Sequence, residues 1–327
     1  MEKQPSATVL VTVKNSRGTI GNCVKSLLNL RYKNYKIYIT DAFSDDGTWE
    51  ELGKIKEKHP GKIKLEKVKG NIAKAHNYMI EKCNTEFIAM TDADCVVDKS
   101  WLKNLISGFS SKEIIATAGY CSTPKNVNRL QKLIGKELED RFKHFPRFIS
   151  RAPTMNICVR TNTAKKIKFD ERFGVAQETD WGYRLTKFGK MAYVPSAVIL
   201  HYHRPTLKNF FRQQFSYGKF MPLLYLKHAG RSSGDHISKP TMIFQEFIFL
   251  FSLLFLAMSP FSSSFASLSA ISFILLFILF FMEAIHLGKN TSEIVLFFFL
   301  FFFRTIAWTA GLAVGIFSLL KNYTSPS

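Results

Sequence analysis

The chain lacks any CxxC pair, and its 327 residues hold only five cysteines: Cys23, Cys83, Cys95, Cys121 and Cys158. An odd, dispersed set of thiols excludes a disulfide framework and offers no paired spacing for a structural zinc site, so the cysteines read as reduced cytosolic thiols. Acidic residues are scarce. Against 45 Lys and Arg there are 25 Asp and Glu, leaving a formal charge of +20. The basic residues form no recognition-helix or stacking-strand pattern, which argues against nucleic acid as the partner. The start of the chain is polar and has no charged-then-apolar signal segment, which leaves the part that follows on the side of synthesis. Apolar residues are not lacking: at 46% they suffice for a real core, and disorder is excluded.

Those apolar residues are concentrated. From Met242 to Leu320 nearly every stretch is built from Phe, Leu, Ile, Ala and Ser, whereas the part before Pro240 alternates polar and apolar. The charge divides at the same place. Residues 242–327 carry three acids (Glu246, Glu283, Glu293) and three bases (Lys289, Arg304, Lys321), so all of the net charge lies before Thr241. Three membrane spans are expected, over 242–258, 264–282 and 294–320, each near the length of about 20 residues that crosses the hydrocarbon. Three crossings would put the C-terminus outside. Pro260 and the serines after it also suit a shallow re-entrant hairpin. Arg304 falls inside the third span, where a cation needs a partner: Glu246 or Glu283 within the bundle, or the phosphate of an acceptor. A part this basic, tied to a membrane, suits anionic lipid headgroups and phosphorylated substrates, since each surface Lys or Arg contributes about 1 kcal/mol near an acidic leaflet.

Short apolar runs and amphipathic stretches alternate over the first 120 residues, which predicts an α/β fold with a mostly parallel sheet covered by helices. Strands are expected at 8–13, 35–40, 63–68, 87–90 and 114–117, and helices at 19–30, 48–58, 72–83 and 100–109. Ligands of such sheets bind beyond the carboxyl ends of the strands, where this chain places Lys14, Asn15, Asp41, Thr91, Asp92 and Asp94. A basic, aromatic helix is expected over 129–150, packed on its own domain or on the membrane. A second over 207–227 interleaves Phe210, Phe211, Phe215 and Tyr217 with Lys208, Arg212 and Lys219 and reads as interfacial. The expected division is a domain over 1–205, interfacial helices over 206–240 and a transmembrane region over 241–327.

The strand Phe87-Ile88-Ala89-Met90-Thr91 runs into Asp92-Ala93-Asp94, two carboxylates two residues apart. Carboxylate oxygens at the end of a buried strand can hold a hard divalent cation, which neutralises the charge gained by a leaving diphosphate. One Asp would bind the metal while the other steers ribose or metal-bound water. Asp41 ends the strand 35–40, placed to hydrogen-bond a nucleotide base. Ser44 and Asp46 after it suit the cap of the helix that begins near Thr48.

Taken in order, these segments resemble the inverting glycosyltransferase family 2 with its GT-A fold, over roughly residues 8–220. The family's first strand is matched by 8–15. Its "DDGSTDGT" turn is matched by Asp41 through Thr48, and its helix after the third strand by Asn71, Lys74, Ala75 and Asn77. Its DxD metal motif is matched by Asp92 and Asp94. Further on, 156–160 and 169–173 look like the "N-x-x-x-R" and "FDERF" segments that lead to the acidic catalytic motif. The resemblance implies a nucleotide-sugar donor, UDP-linked by preference, contacted by Asp41, Lys74, Asn77 and Asp92. It also implies a Mn2+ or Mg2+ ion on Asp94, the more direct ligand, with Asp92 beside it.

Where the family reads close to "GEDTDL", this chain has Gln177-Glu178-Thr179-Asp180-Trp181. Glu178 stands in place of the Asp normally assigned as base, one methylene longer, with Asp180 in reserve. His201 and His203 match "HxH" endings of the family, and His201 is the candidate to complete the metal shell. Arg212 and Gln213 stand where processive members carry QxxRW, but Ser216 and Tyr217 replace its Arg and Trp. The implied activity is therefore non-processive transfer, with inversion, to the hydroxyl of a lipid-linked or membrane-associated acceptor. The alternatives are a polyprenyl (dolichyl)-phosphate sugar synthase, in which Glu178 is not a base, and an inactive membrane scaffold.

Overall fold

In the computed structural model, which describes residues 4–324, the short apolar runs of the first half become strands and the stretches between them helices. In chain order these are β1 (Ala7–Val13), α1 (Arg17–Leu28), β2 (Tyr35–Asp41), α2 (Thr48–Lys58), β3 (Ile63–Lys67), α3 (Ile72–Glu81), β4 (Phe87–Asp92), β5 (Cys95–Val97), α4 (Trp101–Ser107) and β6 (Ile114–Ser122). There follow α5 (Arg129–Lys143), β7 (Phe148–Ile149), β8 (Ile157–Arg160), α6 (Thr161–Lys166), α7 (Gln177–Leu185) and β9 (Lys190–His201). The last four helices are α8 (Leu207–Lys227), α9 (Pro240–Met258), α10 (Ser263–Leu287) and α11 (Thr291–Thr324). The chain divides into two compact units: Met1–Val127 with Phe142–His203, and Asn128–Arg141 with Arg204–Ser327.

In the first unit the strands form one mixed, mostly parallel sheet in the order β3-β2-β1-β4-β8-β6-β9-β5, with β7 also paired to β9. The central strands are near-continuous apolar runs because both faces are covered, as parallel strands require: Val9, Leu10, Ile37, Ile39, Ile88 and Met90 are fully buried. Helix α2 forms where Glu50 and Glu51 face its positive end and Lys56 and Lys58 its negative end. Helix α3 starts at Asn71, whose side chain accepts from Lys74 N at 3.0 Å. Trp181 of α7 stacks on Phe169 with ring centroids 4.2 Å apart, donates to the Ile167 carbonyl, and joins the core of Leu10, Ile88, Met90 and Val159. A buried Trp of this kind is worth about 3–5 kcal/mol against truncation to alanine.

The helix expected over 129–150 ends instead at Lys143, and Phe148 and Ile149 pair with β9. Pro146 accounts for the stop, since proline supplies no amide hydrogen and disfavours helical geometry in the residue before it. The strand expected at 87–90 runs on to Asp92. Register then sets the working edge of the sheet: Thr12 lies opposite Asp92 and Val13 opposite Asp41, so β1, β2 and β4 all end at one edge.

In the second unit α9, α10 and α11 are long and apolar enough to cross a membrane. Their shared core includes Phe249, Leu276, Phe280, Phe297 and Phe301, together with Leu133 of α5 and Phe210 of α8. Helix α8 packs on α11 backbone to backbone: a Cβ on Gly311 would meet Lys219 N at 2.8 Å, and one on Gly218 would meet Trp308 Cα at 2.8 Å. Small residues are what allow helices to approach so closely. Arg304, 3% exposed, pairs not with Glu246 or Glu283 but with Glu137 of α5, and donates to Gln245 Oε1 at 3.4 Å. Glu246 accepts instead from Thr309 at 2.6 Å, and Glu283 from Gln245 at 2.9 Å. The expected partners lie within the apolar helices, whereas the actual one is brought by a helix 167 positions earlier in the chain.

Candidate active site

At the edge where β1, β2 and β4 end, the turn after β2 is stitched to the turn after β1. Asp41 is fully buried and accepts from Ser44 twice, from the backbone N at 2.9 Å and from Oγ at 2.6 Å. Ser44 Oγ in turn accepts from Asn15 N at 2.8 Å, and Asn15 Oδ1 accepts from Asp45 N at 3.1 Å. Asp46 accepts from Thr48 N at 3.0 Å and from Arg17 N at 3.1 Å, and its hydrogen bond from the Thr48 hydroxyl holds its carboxyl below the usual range. Asn15 and Phe43 have positive φ, 49° and 58°. Strained backbone of this kind persists where the surrounding bonds over-determine it, as they do here.

Asp94 lies one turn beyond β4. Its carbonyl accepts from Tyr202 N at 3.0 Å, and the antiparallel register of β5 with β9 sets Cys95 opposite His201. His201 Nε2 is thereby 3.5 Å from Asp94 Oδ1, while His203 packs edge-on against the His201 ring and lies 3.3 Å from Thr123 Oγ1. Burial works against a charge on His201, but the Asp94 carboxylate outweighs it and lifts the imidazole to about 10. Asp92, the last residue of β4, is half-buried, and its carbonyl accepts from Cys23 Sγ at 3.4 Å.

Met90 pairs with Ile157, so the residues just before β8 lie at this same edge. Arg151 of that segment, 7% exposed, donates to Thr179 Oγ1 at 3.0 Å, and a Cβ on Gly182 would meet its Cα at 2.7 Å. Helix α7 is thereby held against the segment before β8, with Glu178 half-buried in its first turn. Burial raises the Glu178 carboxyl above the usual range, opposed by a backbone hydrogen bond and by the nearby charge of Arg151. Asp180 is fully buried, accepts from Arg184 Nε at 2.8 Å and forms an ion pair with Nη2 at 2.7 Å, so its carboxylate is engaged within α7.

The other residues named from sequence fall in different settings. Lys74 is exposed in the first turn of α3. Asn77 is buried, and its amide holds the segment before α7: it donates to the Phe169 carbonyl at 3.0 Å and to Glu171 at 2.9 Å, and accepts from Phe169 N at 2.8 Å. Arg212 (exposed) and Gln213 (half-buried) lie on α8 of the second unit. Three further residues shape the surroundings of this edge without having been assigned a role from the sequence. Arg151 seats α7; Cys95 stands beside Asp94; Asn156 donates to the Tyr120 and Ala197 carbonyls, both at 2.9 Å, where β9 shifts register against β6. Only Asn156 had a signal, as the first residue of the N-x-x-x-R segment.

Asp94 and His201 suit a divalent cation: a carboxylate oxygen from the turn after β4 and an imidazole nitrogen from the end of β9 converge, with Asp92 close by in sequence. The sequence pattern described as Glycosyl transferase family 2 matches residues 8–173, half of the chain. The Pre-mycofactocin glycosyltransferase of Mycobacterium tuberculosis is 24% identical over 242 residues, which is 69% of this chain and 49% of that protein. The chain thus spans about half the length of that relative. The Dolichyl N-acetyl-alpha-D-glucosaminyl phosphate 3-beta-D-2,3-diacetamido-2,3-dideoxy-beta-D-glucuronosyltransferase of Methanococcus voltae is 24% identical over 240 residues, 67% of this chain and 74% of that one. Among solved structures, a mannosyltransferase from Pyrobaculum calidifontis in complex with GDP-Man and Mn2+ superposes with a TM-score of 0.62 at 13% identity, covering 97% of this chain and 88% of that one. That likeness speaks to the fold.

Proposed function

Because the chain belongs to glycosyltransferase family 2 and has its GT-A fold, we propose that it is a membrane-anchored, inverting, non-processive glycosyltransferase that moves a sugar from a nucleotide donor to a lipid-linked hydroxyl. The observation that carries this reading is the meeting of Asp94 and His201 just beyond the edge of the sheet where β2 ends at Asp41 and β4 at Asp92. Asp94 and His201, with Asp92, would hold Mn2+ or Mg2+, which supplies positive charge against the diphosphate as it leaves. Asp41, fixed by Ser44, faces the donor's base, UDP by preference. Lys74 is assigned to the donor phosphates, with Asn77 holding the segment before α7; Arg212 and Gln213 keep only the donor-binding expectation drawn from the resemblance.

Glu178 takes the proton of the acceptor hydroxyl as its oxygen attacks the anomeric carbon. The bond to the diphosphate breaks with its electron pair staying on the leaving group, so the anomeric configuration inverts. A carboxyl raised by burial is a stronger base than a solvated one, which favours a hydroxyl acceptor over a lipid phosphate that is already an anion. The names of the archaeal relative and of the mannosyltransferase complex fit a lipid-linked acceptor and a nucleotide-sugar donor with a divalent cation. The catalytic unit would face the cytosol, where nucleotide sugars are available.

The test is transfer from radiolabelled UDP- and GDP-sugars to a membrane lipid extract. Asp94→Ala should abolish metal-dependent labelling, and an unaltered rate would sink the reading. Glu178→Gln should lower kcat by about 10²–10⁴-fold. Near-normal turnover of that variant would instead mark a phosphate acceptor.

A further inference from the structure

The corner built by Asp94 and His201 has a third donor. Cys95 faces His201 across the β5–β9 pair, and its Sγ lies 3.7 Å from Asp94 Oδ1. One ligand atom from each of Asp94, Cys95 and His201 falls within 4.8 Å of the other two. The His201 ring is oriented by Asp94 on its Nε2 side and also interacts with the side chain of Cys121. An oxygen–sulfur–nitrogen corner is not what Mg2+ or Mn2+ selects, since those ions favour oxygen donors. Zn2+ and Cd2+ take sulfur, imidazole and carboxylate together. The cysteine spacing along the chain holds no zinc signature, yet strand register assembles this donor set from residues 106 apart in numbering.

We propose that Asp94, Cys95 and His201 form a site for a thiophilic divalent cation of the Zn2+ class, which displaces the hard cation and stops transfer. As the ion binds, the Cys95 S–H bond breaks, the proton passes to solvent and a sulfur–metal bond forms, with no change of oxidation state. The consequence for turnover rests on the proposed function, whereas the binding itself does not.

Cd2+ is the probe, titrated into the full chain in detergent and read by its ultraviolet thiolate charge-transfer band. One Cd2+ per chain should saturate the band, and Zn2+ should displace it. Cys95→Ala should remove the band and lower Cd2+ affinity at least about tenfold, while Cys83→Ala, remote from the corner in the core cluster, retains both. Thermal melts establish that each variant is folded. Should Cys95→Ala fail to fold, cadmium NMR of the unaltered chain reports directly whether sulfur is among the donors. No band in the unaltered chain, a band that survives Cys95→Ala, or a cadmium shift without a sulfur donor would each overturn the proposal. Mn2+ binding, followed separately by electron paramagnetic resonance, keeps the two readings apart. Mn2+ bound without any Cd–thiolate band defeats this site alone; a Cd–thiolate band without Mn2+ binding supports it and defeats the hard-cation part of the proposed function.

Discussion

The burial that would make Glu178 a useful base also makes it a burden on the fold. A carboxyl raised above its unfolded value costs stability once it ionises. The folded state is favoured while the group is protonated, and that advantage is lost as pH rises through the folded value. Glu178→Gln should therefore melt at least as high as the unaltered chain near neutral pH, with the difference vanishing as pH falls below the ordinary carboxylate value of 4.5. In the unaltered enzyme the acid limb of kcat/KM should lie above that value. A variant both slower and less stable at neutral pH would contradict a base whose carboxyl is raised by burial. The candidate was legible in the sequence as an acid in the place of the family's Asp; its environment was not, because Arg151 reaches α7 from a segment with no motif of its own. Asp180 shows the converse: as a sequence letter it was an equal carboxylate, and in the fold it is held by Arg184.

Among the elements, α5 is the one whose place the sequence left open between its own domain and the membrane. Its polar residues settle on the second unit: Glu137 takes Arg304 and Arg141, the latter at 2.9 Å; Asp140 takes Lys239 at 2.9 Å; Lys136 donates to Glu293 at 2.7 Å. Burial would raise the Glu137 carboxyl, but Arg304 and Arg141 outweigh it and hold it below the usual range. Its pairing thus stabilises at neutral pH and is lost as pH falls through the lowered value. Glu137→Leu leaves Arg304 buried without its carboxylate and should cost about 3–5 kcal/mol, read as a fall in Tm in detergent. Adding Arg304→Leu should recover most of that loss. If the double variant is no better than the single one, the pair is not what holds the two helices. The boundaries of α2 and α8 were readable in full from the sequence, because charge placement and apolar spacing act within a few residues.

For the molecule as a whole, the apolar surface decides the setting. Helix α10 leaves Ile271, Ile274, Ile278, Phe281 and Met282 at least half exposed, far more apolar surface than water tolerates in a row. With the 3-10 turn that extends α9 to Phe261, the three apolar helices run 22, 25 and 31 residues. At 1.5 Å per residue even the shortest is about 33 Å long, enough for a full crossing. All five native thiols are buried, so an introduced cysteine can report alone. Ile278→Cys in liposomes should resist a water-soluble maleimide, while Lys54→Cys on the exposed face of α2 should react at once. Labelling of both at similar rates would place α10 in water.

Sequence alone determined the alternation of strands and helices, the apolar C-terminal quarter, the family and the carboxylates at the strand ends. Each is written in neighbours a few positions apart, where periodicity and capping act. Tertiary structure decided which distant residues meet. Cys95 faces His201 because β5 and β9 pair in one register, and Arg304 finds Glu137 rather than Glu246 because α5 joins the second unit. Such pairings depend on how whole elements pack, and no local pattern in the chain encodes the partner.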